Sequence, residues 1–141
     1  MELDELADTL SGLNDDGVNL YYHLTERDNG EPIKRKGIYT DSEKLSACAI
    51  RIEDTFFENP ENYVDFGVGN PQTREKEIMV FIGCYDGNEE FLVRKVNNGE
   101  YLISSENILG YLDLDTKYFK ANLNNAFDIG LDDSYDSRFK L

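Results

Sequence analysis

The Asn98-Gly99 dipeptide, set between two apolar segments, is the feature that most restricts how this chain can fold. Asparagine and glycine adopt positive φ values readily, and a tight hairpin turn needs such values. Residues 91–96 are therefore predicted to reverse into a strand that begins at Glu100 and continues to Ser104. A carboxylate on the first residue of a strand is fixed in position by the inter-strand hydrogen bonds that follow it, and it remains accessible to a ligand. Glu100 is thus a candidate general base or hydrogen-bond acceptor, although charged residues are common at strand ends for solvation alone.

Other turn and strand signals surround this hairpin. Residues 78–84 form a nearly continuous apolar run, which indicates a strand buried on both faces. Because Asp86-Gly87 supplies a turn after it, we expect this strand, the segment 91–96 and the Glu100 strand to pair consecutively as an antiparallel meander. Residues 18–24 and 109–114 are predicted to be further strands, the first from its aromatic and β-branched content and the second from its alternating apolar residues.

Helical signals are concentrated in the first half of the chain. Leu3, Leu6, Leu10 and Leu13 recur at helical spacing, with acidic residues between them, and predict an amphipathic N-terminal helix. Thr40 and Glu43 form a capping-box pattern that predicts a second helix through Phe56, ended by Asn59-Pro60. The same rules predict three other segments: 33–38 as a turn of helix or the start of a strand, 61–77 as a long loop, and 116–127 as a short helix.

These elements together predict an α+β fold. Residues 1–127 are expected to form a single domain whose core is a mostly antiparallel sheet with a few short helices. Residues 128–141 are polar and are expected to form a loosely held C-terminal tail.

Composition narrows the classes of function. The chain has 29 acidic and 14 basic residues and a formal net charge of −15, so direct binding of nucleic acid is not expected. The dense basic run 34–36 is too short to change that balance and is interpreted as a solvated helix end. Cys48 and Cys84 lie in apolar surroundings and predict reduced thiols of a cytoplasmic protein. No signal peptide, membrane span or zinc site is expected, because the chain has no apolar leader and a single histidine.

Two segments resemble the catalytic domain of poly(ADP-ribose) polymerases and related ADP-ribosyltransferases. Residues 99–105, G-E-Y-L-I-S-S, followed by 107–114, are similar to the N-E-Y-[IV]-[VI]-Y-D strand that carries the family's catalytic glutamate and to the strand after it. Residues 20–25, L-Y-Y-H-L-T, and 33–39, I-K-R-K-G-I-Y, resemble the opening aromatic-His-x-[ST] strand and the I-L-x-x-G-[IL] element that follows it. The residue after His23 is Leu24, where polymerases have glycine.

The resemblance implies an ADP-ribosyltransferase-like fold, NAD as the cofactor and roles for particular residues. His23 would hydrogen-bond an NAD ribose, and Glu100 would bind the 2′-hydroxyl of the nicotinamide ribose. An aromatic side chain would stack on nicotinamide: Tyr39 if residues 36–39 match the family's G-K-G-I-Y-F element, or Tyr63 if residues 33–38 match the earlier element. The acceptor of ADP-ribose, a protein or another molecule, is left open.

A second class of function fits the acidic composition. A non-enzymatic binder, such as an immunity protein, an inhibitor or a mimic of nucleic acid, would present carboxylates to a basic partner surface. The acids are spread along the chain, but one group clusters near the N-terminus: Glu2, Asp4, Glu5, Asp8, Asp15 and Asp16.

Overall fold

Strand β4 (Glu77–Tyr85) is the central strand of a five-stranded antiparallel sheet in the computed structural model, which describes residues 1–127. From one edge to the other, the sheet contains β3 (Ile50–Arg51), β1 (Val18–Glu26), β4, β7 (Ile108–Asp113) and β8 (Phe119–Ala121). The register of β1 and β4 runs from Val18 opposite Tyr85 to Glu26 opposite Glu77. The apolar run predicted to be a buried strand therefore forms the middle of the domain.

Helices cover one face of this sheet. Met79 and Phe81 of β4 point to that face and belong to a buried cluster that includes residues from α1 (Leu3–Asp15), α3 (Asp54–Glu58) and α4 (Pro60–Gly67). Phe81 is fully buried, and truncation of such a ring to alanine costs about 3–5 kcal/mol. The predicted amphipathic N-terminal helix is confirmed.

The other face of the sheet is covered by a short helix and a second sheet. Ile78, Val80 and Ile82, which alternate with the residues above, pack here against α2 (Gly30–Lys36) and a three-stranded antiparallel sheet. That smaller sheet has the order β2 (Ile38–Thr40), β6 (Glu100–Ile103), β5 (Val93–Asn97). The domain thus has three layers, and the α+β class is confirmed.

Gly37 joins α2 to β2 at a place where no other residue fits well. Its φ is 89°, and a Cβ atom built on it would lie 2.1 Å from the backbone oxygen of Ile103 in β6. Its N–H donates to the oxygen of Ile33, which ends the helix. Because Gly37 permits this close contact, the chain turns directly from α2 into the small sheet.

Tyr111 of β7 anchors α2 to the large sheet. Its hydroxyl donates to the carboxylate of Glu31, and this hydrogen bond, more than any other interaction, lowers the pKa of Glu31. The Lys34 Nζ lies 3.5 Å from the Glu31 carboxylate and 5.9 Å from the centroid of the Tyr111 ring. Both contacts fix the position of α2 relative to the sheet.

The predicted meander is wrong in one of its two pairings. The hairpin of β5 and β6 forms around Asn98-Gly99, with Gly99 at a φ of 73°. Strand β4, however, pairs with β1 and β7 and not with β5. The reason is burial: β4 is covered on both faces, whereas most of β5 is exposed and lies at the edge of the smaller sheet.

The predicted helix from Thr40 to Phe56 is also wrong over most of its length, because within this segment an α-helix forms only at its end, in α3. The Thr40 hydroxyl accepts a hydrogen bond from the N–H of Ser42, which makes a local turn and not a helix cap. Ile50 and Arg51 then pair with Tyr22 and Tyr21 as the edge strand β3. Pairing between distant segments has overridden the local helical pattern.

Two further predictions need correction. Asn59-Pro60 ends a helix, as predicted, since Asn59 is the C-cap of α3. The same pair also begins α4, because the Asn59 side chain accepts from the N–H of Asn62 and Pro60 occupies the first helical turn. Part of the predicted 61–77 loop is therefore helical. The expected helix at 116–127 is replaced by β8, in which Phe119 pairs with Leu112. The expected tail, 128–141, lies outside the described residues.

Candidate functional site

A cavity of about 290 Å³ lies where the end of β1, helix α2 and strand β2 meet. Its lining includes two residues predicted to bind a cofactor, His23 and Tyr39. The complete lining is His23, Thr25, Asn29, Pro32, Ile33, Lys36, Gly37, Ile38 and Tyr39. A volume near 300 Å³ is at the lower end of the range for small-molecule sites. The cavity therefore suits part of a ligand that extends beyond it.

His23 enters the cavity from β1 because of strand alternation. Tyr22 belongs to the cluster beneath the helices, so its neighbour His23 points to the opposite face. The Nδ1 atom of His23 lies 2.6 Å from the backbone oxygen of Cys48, in the segment just before β3. A carbonyl oxygen can only accept, so Nδ1 carries the donated proton. In a neutral ring the Nε2 atom is then left as an acceptor for a hydroxyl group of a ligand.

Two residues lie next to His23: Thr25, which lines the cavity, and Cys48, which does not. Thr25 follows His23 on the same face of β1, and its hydroxyl accepts a hydrogen bond of 2.7 Å from the side-chain amide of Asn29. Cys48 is a half-buried free thiol, and burial raises its pKa. Because a thiol with a raised pKa is less often a thiolate, we expect Cys48 to contribute through its carbonyl oxygen and not as a nucleophile.

Tyr39 and Glu100 lie on the same face of the smaller sheet. Ile38 and Ile103 are paired and buried, so Tyr39 and its partner Leu102 point the other way. Glu100, two residues before Leu102, shares that outer face and is the diagonal neighbour of Tyr39. Such neighbours are about 7–8 Å apart. Tyr39 is 55% exposed, which leaves its ring free to stack on a ligand.

Glu100 is exposed at the entrance of β6, as the sequence predicts, but it does not line the cavity. Its carboxylate accepts a hydrogen bond of 3.2 Å from the side-chain amide of Asn97, across the hairpin turn. A ligand would have to extend from the cavity across Tyr39 to reach Glu100.

Tyr63, the other candidate for the stacking aromatic, lies on the opposite side of the large sheet from His23. Its ring packs edge-on against Tyr22, at 6.5 Å, and Phe56, at 5.6 Å. Burial raises the pKa of Tyr63 to about 12. Tyr63 is part of the packing beneath the helices, and the structure does not bring it together with His23.

Sequence reasoning missed two contributors to the site. The Cys48 oxygen is a backbone atom, and no residue pattern reveals where a backbone carbonyl will point. Lys36 lines the cavity, whereas the sequence alone favours a solvated helix end for the basic run that contains it. The position of Lys36 directly before the Gly37-Ile38-Tyr39 segment was the signal that could have found it.

Within residues 1–127, no group of three or more His, Cys, Asp or Glu side chains is placed to hold a metal ion. No helix in that range is both long and apolar enough to cross a membrane. In comparisons with known proteins, the chain matches no protein-family model, no curated protein and no solved structure.

Proposed function

We propose that this protein is an NAD-dependent ADP-ribosyltransferase-like protein that transfers ADP-ribose to an acceptor molecule. The observation that supports this function most is the relation of three residues: His23 and Tyr39 line one cavity, and Glu100 is the diagonal neighbour of Tyr39 on the adjoining strand. The three come from distant parts of the chain, and each has the chemistry that its proposed role requires.

The proposed roles follow from the reaction. The bond between C1′ of the ribose and the nicotinamide nitrogen breaks, and its electron pair leaves with nicotinamide. C1′ then develops positive charge, which the Glu100 carboxylate stabilises while it accepts a hydrogen bond from the 2′-hydroxyl. The acceptor attacks C1′ with a lone pair, a bond forms between C1′ and the acceptor atom, and the proton of that atom passes to water. Tyr39 stacks on nicotinamide and holds the leaving group in line.

His23 would hold the substrate at the other end of this arrangement. With Nδ1 donating to the Cys48 oxygen, Nε2 of the neutral ring accepts a hydrogen bond from a ribose hydroxyl. The ring is oriented before the ligand arrives, so binding loses little side-chain freedom there.

Binding of NAD is the first test. A ligand present at one hundred times its dissociation constant stabilises a protein by about 2.7 kcal/mol, so the melting temperature should rise by several degrees. Release of nicotinamide should then be measured, with and without candidate acceptors. The absence of any shift at millimolar NAD, together with no release of nicotinamide, would contradict the proposal.

The acidic binder is a second candidate because of one observation. Five acids of α1 and the turn after it are exposed on the surface of the domain, where a basic partner could reach them: Asp4, Glu5, Asp8, Asp15 and Asp16. This surface does not include the cavity, so the two functions can be tested with separate substitutions.

A further inference from the structure

The cavity that contains His23 differs in charge from the rest of this acidic protein. No aspartate or glutamate lines it, and its charged residue is Lys36. Three other cavities in the part of the chain that the structure describes each include carboxylates. One contains Glu26, Asp28 and Glu77 together with Arg27 and Lys76, another contains Asp65, Glu75 and Asp115 together with Arg74 and Lys117, and the third contains Glu106. In a chain with 29 acidic and 14 basic residues, a concave site without carboxylates favours an anionic ligand.

Lys36 and Lys34 belong to the same helix but have different surroundings. Lys34 is held by the Glu31 carboxylate and lies near the ring of Tyr111, so its charge serves the attachment of α2 to the sheet. Lys36 lines the cavity, is exposed, and forms an ion pair with no carboxylate of residues 1–127. Its ammonium group can therefore bind a ligand without first breaking an internal contact.

A simpler explanation accounts for the position of Lys36 at the end of α2, but not for the charge of the cavity. Cations in the last turn of a helix interact favourably with its dipole, and α2 ends with Lys34, Arg35 and Lys36. That explanation applies to all three residues equally. It does not account for the absence of carboxylates around the cavity, to which β1 and the turn after it contribute Thr25 and Asn29 but not their acidic neighbours Glu26 and Asp28.

We propose that Lys36 forms the anion-binding part of this cavity and holds the diphosphate of a dinucleotide whose ribose is bound by His23. The inference rests on the proposed function and adds to it the residue that recognises the charged centre of NAD. An ammonium group is a point charge with three donors, which suits phosphate oxygens in several orientations. The ligand would then extend from Lys36 past His23 and Tyr39 towards Glu100.

The test compares Lys36→Gln with Arg35→Gln, which also removes one positive charge from the last turn of α2 but at an exposed residue that does not line the cavity. Calorimetric titrations would use three probes: NAD, ADP-ribose and nicotinamide riboside, which carries no phosphate. We expect Lys36→Gln to weaken binding of NAD and ADP-ribose about tenfold, the loss of one charge-assisted hydrogen bond, and to change binding of nicotinamide riboside less than about twofold. Arg35→Gln should leave the affinity for all three probes unchanged, and circular dichroism would verify that both variants are folded.

The outcomes distinguish this inference from the proposed function. If NAD binds but Lys36→Gln leaves its affinity unchanged, or weakens nicotinamide riboside equally, the role of Lys36 is overturned and the proposed function stands. If ADP-ribose binding depends on Lys36 but NAD neither binds nor loses nicotinamide, the anion site stands and the transferase is overturned. If none of the three probes binds the wild-type protein, both are overturned.

Discussion

The Nδ1 atom of His23 lies 2.6 Å from the backbone oxygen of Cys48, so the orientation of a side chain on β1 is set by the segment that leads into β3. This contact joins two parts of the chain that also pair as strands, with Tyr22 opposite Ile50. The imidazole is therefore held by a backbone atom whose own position is fixed by the sheet.

Two substitutions of His23 should separate its attachment from its contact with a ligand. The side-chain amide of asparagine can replace Nδ1 as the donor to Cys48, but it provides nothing in place of Nε2. We expect His23→Asn to unfold with a free energy within about 0.5 kcal/mol of wild type, and His23→Ala to lose about 1 kcal/mol with the hydrogen bond. Both should bind NAD more weakly. Wild-type affinity in His23→Asn would show that Nε2 has no part in the site.

Tyr39 and Tyr63 should respond to alanine substitution in opposite ways. Tyr39 is largely exposed, so Tyr39→Ala should change the free energy of unfolding by less than about 1 kcal/mol and weaken NAD binding through the loss of stacking. Tyr63 packs against Tyr22 and Phe56, so Tyr63→Ala should cost about 2–4 kcal/mol and leave NAD affinity unchanged in the folded protein. Urea titration and calorimetry measure the two effects. The reverse pattern would assign the stacking role to Tyr63.

Local sequence patterns predict those elements that are determined by residues close together in the chain. Three elements were predicted correctly in this way: β4 from its apolar run, the hairpin turn from Asn98-Gly99, and α1 from the spacing of its leucines. The partners of β4 could not be obtained in the same way. Alternation assigns Met79 and Ile78 to opposite faces of a strand, but it does not say which strand lies beside β4.

For the candidate site, sequence reasoning identified side chains but not their surroundings. The resemblance indicates His23 and Tyr39, and these two residues line one cavity. The resemblance also indicates Tyr63, which packs on the other side of the sheet because residues 60–67 form helix α4. A loop over residues 61–77, as the sequence predicts, does not determine on which side of the sheet Tyr63 lies. A loop prediction therefore gave no information about which face an aromatic residue would cover.

Gly37 provides a test of how the cavity is built. Because its φ is 89° and a Cβ atom would lie 2.1 Å from the Ile103 oxygen, Gly37→Ala should destabilise the protein by more than about 1 kcal/mol. It should also weaken ligand binding, since α2 and β2 would have to separate from β6. Gly12→Ala is the matched control: Gly12 lies within α1 with nothing within 4 Å of its would-be Cβ, so it should stabilise the protein by about 0.4–1 kcal/mol. If urea denaturation showed that both substitutions change the free energy of unfolding equally, this explanation of the connection between α2 and β2 would be refuted.

Glu100→Gln should separate catalysis from binding and from stability. Glutamine keeps the shape of the side chain and an oxygen that can accept from Asn97, but it lacks the negative charge that stabilises a positively charged C1′. We expect release of nicotinamide from NAD to fall by at least about 100-fold, by analogy with the loss of one preorganised electrostatic contact elsewhere. Affinity for NAD should change little, and the melting temperature should stay the same because Glu100 is exposed.

The same measurement, combined with a second variant, decides between the transferase and the acidic binder. If the protein acts through its acidic surface, Glu100→Gln should keep its full biological effect, and no binding of NAD should be detected. A variant in which five acids are replaced by their amides should then associate more slowly with a basic partner, and its association rate should depend less on salt. The five acids are Asp4, Glu5, Asp8, Asp15 and Asp16. The reason is that long-range attraction scales with the charge on the approaching face. In a transferase, the five-amide variant should instead release nicotinamide at the wild-type rate, since none of these residues lines the cavity around His23. Loss of nicotinamide release in that variant, with the fold intact, would contradict the site proposed for NAD.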